Sequence, residues 1–186
     1  DEEVAKLADA VGGELDVLVN NAGGAFGLEP VAQADLGNWL KMYELNVLGT
    51  AKVTKALLPA LVRARGAAVF VTSTAADWGY EGGAGYCGAK AAERSLVESL
   101  RLEFFDQPVR IMEICPGMVH TEEFSLVRLG DQAKADAIYK GVAEPLRAED
   151  VARAITFMAT GPAHVNIDRM TIRPVAQAAQ YKVFRQ

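Results

Sequence analysis

The sequence predicts an α/β fold in which a doubly wound parallel sheet carries helices on both faces, and three observations support that prediction. Apolar, β-branched runs of strand length alternate with longer stretches of helical periodicity. Glycines mark the exits, at Gly23-Gly24, Gly66, Gly117 and Gly161. The first two strand-like runs are apolar almost throughout, as strands covered on both faces must be.

Taken in order, the predicted strands are Leu15 to Asn20, Ala67 to Ser73, Val109 to Cys115 and roughly Asn166 to Ile172. Between the first and second, Asp35 is placed to N-cap a long helical pattern running to about Ala64. Asn46 interrupts that pattern, and the nearby Gly49 favours a local kink. A buried asparagine there must be satisfied by water and polar neighbours. Ala84 to Phe105 keeps Ala89, Leu96 and Leu100 near one face of a second helix, and Ala148 to Ala159 forms a shorter third. No repeat, low-complexity tract or polar linker divides the chain, so residues 1–186 read as one domain.

Composition narrows the function. The 186 residues are 51% apolar and 23% charged, enough for a sizeable core and too balanced for disorder. The net charge is −5 with scattered Lys and Arg, which argues against a nucleic-acid partner. No uninterrupted apolar run approaches the ~20 residues of a membrane span. Cys87, Cys115, His120 and His164 share no metal-ligand spacing, so no metal site is expected. Without a targeting segment, a cytoplasmic setting is expected.

In open parallel sheets, ligands bind at the carboxyl ends of the strands. Those ends carry Asn20-Asn21-Ala22-Gly23, Thr72-Ser73-Thr74 and Pro116-Gly117-Met118-Val119-His120-Thr121. Each is readable as an ordinary turn, but together they would line one crevice. Tyr86-Cys87-Gly88-Ala89-Lys90 then supplies chemistry. Helix positions i and i+4 share a face with Cβ atoms ~6 Å apart, so the Lys90 ammonium can approach the Tyr86 phenol. A free phenol titrates near ~10, and a close cation lowers that value into the range useful for proton transfer. A lone Tyr-x-x-x-Lys pair is equally a solvated helix face. The Ser73 hydroxyl, at a strand end, could hold a substrate oxygen opposite the phenol.

These residues together resemble the short-chain dehydrogenase/reductase family. Asn46, Ser73, Tyr86 and Lys90 match its catalytic tetrad in order and spacing, Asn20-Asn21-Ala22-Gly23 its Asn-Asn-Ala-Gly element, and Pro116, Gly117, Val119 and Thr121 its nicotinamide-side loop. Stretches at Pro116 to Arg128, Lys134 to Ala137, Pro162 to Asp168 and Ile172 to Pro174 are similar to the NADP-dependent 3-hydroxy acid dehydrogenases that act on serine-like substrates. The resemblance implies a Rossmann-like fold and reversible hydride transfer between NADP(H), with NAD the alternative, and a secondary alcohol or ketone. Tyr86 would be the general acid and base, Lys90 would lower its pKa and bind the nicotinamide ribose, and Ser73 would orient the substrate. Asn46 would hold a relay water. Asn20, Ala22 and Gly23 would pass the adenosine-side ribose, and Val119 and Thr121 would contact the carboxamide and a phosphate. The family's dimers and tetramers imply a homo-oligomer built on the two long helices.

Substrate choice is expected in a lid from Thr121 to about Gly141, where Arg128, Lys134 and Lys140 are the basic candidates for a carboxylate. Arg128 is favoured for its bidentate geometry, against the alternative of a solvated charge. His120 and Trp78 are assigned packing roles. The family's first strands and glycine-rich loop have no counterpart here, and a preceding piece of about 60 residues is expected to belong to the parent protein. Leu15 to Asn20 would then present an unpaired apolar edge. Two rival readings are a reductase of 3-oxoacyl or sugar substrates, and a non-catalytic oligomerising module.

Overall fold

The computed structural model describes residues 2–121 and 123–186. Helix α1 (Glu2–Val11) leads into β1 (Val17–Asn20). A continuous helical run follows as α2 (Leu36–Tyr43), a π-helical turn over Glu44–Gly49, and α3 (Thr50–Ala64). Next come β2 (Ala67–Val71), a 3-10 turn at Thr74–Ala76, α4 (Ala84–Glu103) and β3 (Arg110–Pro116). Two short helices, α5 (Phe124–Leu129) and α6 (Gln132–Tyr139), precede α7 (Ala148–Ala159) and β4 (Arg169–Ile172). A hairpin of β5 (Gln177–Ala179) and β6 (Lys182–Val183) closes the order.

The four main strands form one parallel sheet in the order β1-β2-β3-β4. Alternation along β2 sorts the two faces. Ala68 and Phe70 point to the side where Leu58 and Leu61 of α3 and Val97 of α4 pack. Ala67 and Val69 point to the other, against Val151 and Met158 of α7. This is the expected α/β layering. The register pairs Val17 with Ala67 and Val19 with Val69. Val17 and Val19 are nevertheless exposed, because the α7 cluster lies over the other strands and β1 is the sheet edge among the described residues.

The strand and helix positions match the sequence reading closely, with shorter ends. The first strand begins at Val17, because the Leu15 amide donates to the Ala60 carbonyl while Asp16 accepts from Ala67. Gly66, just before β2, is required by close approach. A Cβ there would sit 2.5 and 2.6 Å from the carbonyl oxygens of Leu15 and Asp16. Asp35 caps α2 as expected, accepting from the Gly37 amide at 2.8 Å.

The helical run carries a π turn at Asn46, where the sequence favours a local kink. The helix does not break there; the π turn takes up one extra residue and continues, and Pro59 sits inside α3 without ending it. Leu36–Ala64 thus forms 29 residues, long and apolar enough by length and composition to cross a membrane. Its inward residues Thr54, Leu57, Leu58 and Leu61 are buried by the protein itself. Leu36, Leu40 and Tyr43 remain exposed at i, i+4 and i+7, an outward apolar stripe on α2. On α4, the large exposed apolar side chain is Leu102, near the carboxyl end, with Phe105 just beyond it.

Phe70 is the largest fully buried side chain and touches both α3 and α4. Replacing it with Ala is expected to cost about 3–5 kcal/mol, read as a lower urea midpoint at unchanged slope.

Candidate active site

The carboxyl ends of β1, β2 and β3 open onto a cavity of about 810 Å³. Ser73, Tyr86 and Lys90 line it together with Gly23, Gly117 and Arg128. Three turns that the sequence leaves separate therefore do share one crevice. A second cavity of about 860 Å³ shares Gly23, Gly24, Thr121 and Phe124 with the first.

Ser73 leaves β2 in extended conformation and N-caps the 3-10 turn, its Oγ accepting from the Ala75 amide at 3.1 Å. Tyr86 lies in the first turn of α4, buried, with Phe124 edge-on at 5.9 Å and the Arg128 guanidinium 5.5 Å from its ring centre. One turn further, Lys90 is also buried. Its ammonium donates to the Val71 carbonyl at 3.1 Å and to Glu93 Oε2 at 2.7 Å.

The electrostatics correct the expectation of a lowered tyrosine pKa. Burial pushes the Tyr86 phenol up to about 12; the neighbouring Ser73 hydroxyl and the Arg128 cation pull it back, while Glu93 raises it further. The cation that pulls the phenol back is therefore Arg128, from the lid.

Asn46 lies behind the cavity wall, fully buried in the π turn. Its Nδ2 donates to the carbonyls of Met42 at 2.7 Å and Gly24 at 2.9 Å, and its Oδ1 accepts from the Gly24 amide at 3.1 Å. Both amide hydrogens and the amide oxygen thus have backbone partners. Asn20 also turns inward, donating to Thr54 Oγ1 at 3.1 Å. Neither Asn20 nor Ala22 lines the cavity, whereas Asn21, Gly23 and Gly24 do. Pro116, Gly117, Val119 and Thr121 line it as predicted.

Arg128 projects from α5 into this space. Its Nε donates to the Gly27 carbonyl at 3.0 Å and its Nη1 to the Tyr80 hydroxyl at 2.8 Å, while its buried Nη2 has no partner. Lys134 and Lys140 do not line the cavity. His120 packs on the Tyr139 ring at 4.3 Å, in keeping with a packing role. Trp78 is exposed, and its backbone carbonyl accepts from the Cys87 thiol.

Sequence reasoning missed four contributors. Tyr80 is held by Arg128, and Tyr139 donates to the Val119 carbonyl at 2.8 Å. Gln177 accepts from the Met118 amide at 2.7 Å, and Gln180 from Thr74 at 2.6 Å. None belongs to a local pattern, and only Tyr139 lies within the lid that the sequence proposes.

The sequence pattern described as short chain dehydrogenase matches residues 1–130. The chain belongs to the short-chain dehydrogenase family. It is 55% identical over 157 residues to an uncharacterized oxidoreductase of Mycobacterium tuberculosis, a match covering 83% of this chain and 62% of that protein. It is 41% identical over 192 residues to serine 3-dehydrogenase of Rhizobium radiobacter, covering 100% of this chain and 76% of that one. A solved serine dehydrogenase, a closed form complexed with NADP+, superposes with a TM-score of 0.90 at 37% identity, over 98% of this chain and 76% of its own. The short-chain dehydrogenase sheet and its Rossmann-like layering are thus shared, and this chain spans about three-fifths of the mycobacterial relative.

A Cβ on Gly23 would lie 2.6 Å from Asn46 Oδ1 and 3.4 Å from Lys90 Nζ, so this wall tolerates only backbone. Gly23→Ala is expected to cost about 1–3 kcal/mol. It should also speed hydrogen exchange at the Gly24 amide, which Asn46 holds in the native protein.

Proposed function

We propose that this protein transfers hydride between NADP(H) and a small secondary alcohol or ketone that carries an acidic group, a 3-hydroxy acid such as serine. The observation that carries this reading is the convergence of Ser73, Tyr86 and Lys90 on a cavity that Arg128 also lines, with one guanidinium nitrogen left without a partner. The resemblance to serine 3-dehydrogenase supports the substrate class, and the NADP+-bound structure supports the cofactor.

The nicotinamide supplies or receives the hydride. The chain supplies position and the proton. In reduction, Tyr86 donates its phenolic proton to the substrate oxygen as hydride reaches the carbonyl carbon; in oxidation the same oxygen accepts that proton. Ser73 orients the substrate oxygen toward the phenol. Lys90 would hold the cofactor ribose, and the Gly23-Gly24 turn, fixed by Asn46, gives it room. Val119 and Thr121, which line the cavity, would contact its carboxamide and a phosphate. Arg128 Nη2 takes one carboxylate oxygen, and the Tyr80 hydroxyl, which accepts from Arg128, has its own proton free for a second. Self-association through the apolar stripe Leu36, Leu40 and Tyr43 is part of the same proposal.

Two substitutions test it. Tyr86→Phe should lower NADPH-linked reduction by about 10²–10⁴-fold while leaving the NADPH-induced rise in melting temperature intact. Arg128→Ala should raise KM for serine and other 3-hydroxy acids by about tenfold or more, as expected for a lost charged hydrogen bond, and barely change neutral secondary alcohols. Equal losses on both substrate types would remove the carboxylate role.

A further inference from the structure

Glu93 follows Lys90 by one helical turn on α4 and is among the most deeply buried side chains, 1% exposed. A carboxylate in such a place is costly unless paired, and a hydrophobic residue would pack there more cheaply. Its Oε2 lies 2.7 Å from the Lys90 ammonium, itself 4% exposed. Its Oε1 lies 3.5 Å from Thr50 Oγ1 of α3. With Val71 and Glu93 as acceptors, the ammonium is fixed in two directions, and Gly23 stands on its open side.

One further buried carboxylate, Glu113, bears on this pair and pushes the Glu93 carboxyl up. Glu113 of β3 is equally buried, but Thr72 donates to it and Arg169 of β4 lies 3.4 Å away. Arg169 also pairs with Asp77, which holds Arg94 of α4. The Tyr86 phenol is faced by Arg128 from α5, by Tyr80 from the loop before α4, and by Cys87 and Glu93 from α4 itself.

We propose that Glu93 is a positioning residue of the reaction: as the buried counter-ion of Lys90 it fixes the ammonium beside the Gly23 turn and cancels much of its charge at Tyr86, keeping the site a proton donor suited to carbonyl reduction. The inference rests on the proposed roles of Tyr86 and Lys90. Two electrostatic observations agree with it. Burial raises the Glu93 carboxyl while Lys90 pulls it back, and Glu93 is among the groups that raise the phenol. Removing the negative charge frees one buried cation to act on Tyr86, so the phenolate becomes easier to form. Oxidation, which needs the phenolate, then gains at lower pH. Reduction, which needs the phenol, loses at higher pH.

Glu93→Gln keeps the shape and an acceptor oxygen for Lys90 but drops the charge. Rates of oxidation and reduction of one alcohol–ketone pair are followed against pH in the native chain and the variant. In parallel, the Tyr86 phenol is titrated by NMR on tyrosine labelled at Cζ, with Tyr86→Phe to assign the signal. The expected result is a midpoint lower by about one pH unit or more in both measurements. The ratio of oxidation to reduction at neutral pH should rise by about tenfold, and Glu93→Asp should restore the native profile in part. Unmoved midpoints with an equal loss in both directions would make Glu93 a packing residue and overturn the proposal. Should Glu93→Gln not fold, the looser pair in Glu93→Asp must move the midpoint the same way, and an unmoved one overturns it. A native chain without NADP(H)-linked turnover would count against the proposed function, while the phenol titration would still decide Glu93.

Discussion

The site depends on one buried side-chain amide. Asn46 is fully buried, so its donors and acceptor need partners, and it finds them in Met42 of its own helix and Gly24 of the loop after β1. The π turn makes this possible by widening the helix at that point so that the amide can face the loop while α2 and α3 stay in line. The loop is then pinned beside Lys90, and Gly23 is left without space for a side chain. The end of β1, a helix junction and the α4 lysine are thereby held as one wall.

Helix periodicity arranges the charges behind that wall. Along α4, Tyr86, Lys90 and Glu93 share the buried face, whereas Arg94 turns outward to Asp77 and Glu98. Asp77 also takes Arg169, which reaches Cys115 and Glu113. Burial raises the Cys115 thiol to about 11, so it stays a neutral acceptor for Arg169. The charged groups fall into a sealed pair under the phenol and a peripheral network tying α4 to β3 and β4. The pair bears on chemistry because it is desolvated; the outer network, partly open to solvent, bears mainly on orientation.

Much of this was legible in the sequence because its signals are short-range. Runs such as Leu15 to Asn20 and Ala67 to Ser73 read as strands covered on both faces, and Tyr86 and Lys90 announce a shared face by spacing alone. What escaped was set by long-range contacts or by burial. The tyrosine's pKa could not be inferred from its distance to a lysine, since the lysine's own partner decides how much of its charge is felt. Glu93 lay in plain view at i+3, yet a charged residue on a helix reads as solvent-facing until the packing is known. Helices α5 and α6 are six and eight residues long, too short for periodicity to distinguish them from loop. The π turn was foreshadowed by Asn46 and Gly49, but as a kink, because a polar interruption does not say whether the helix breaks or widens.

The segment farthest along the chain explains why the wall opposite Tyr86 holds its shape. Gln177 takes the Met118 amide, and a Cβ on Gly117 would strike that same glutamine oxygen. Gln180 takes the Thr74 hydroxyl just after Ser73, and Gln186 donates to Gly141 beyond α6. Arg185 adds bonds to the carbonyls of Ile138 and Lys140. The final ten residues thus connect the turn after β2, the loop after β3 and the end of the lid, the last two of which also meet through Tyr139 and Val119. Each of those loops would pay its own entropy to stay ordered. A hairpin that satisfies polar groups on all three orders them together, so the position of the nicotinamide-side loop and that of the lid are set by the same contacts.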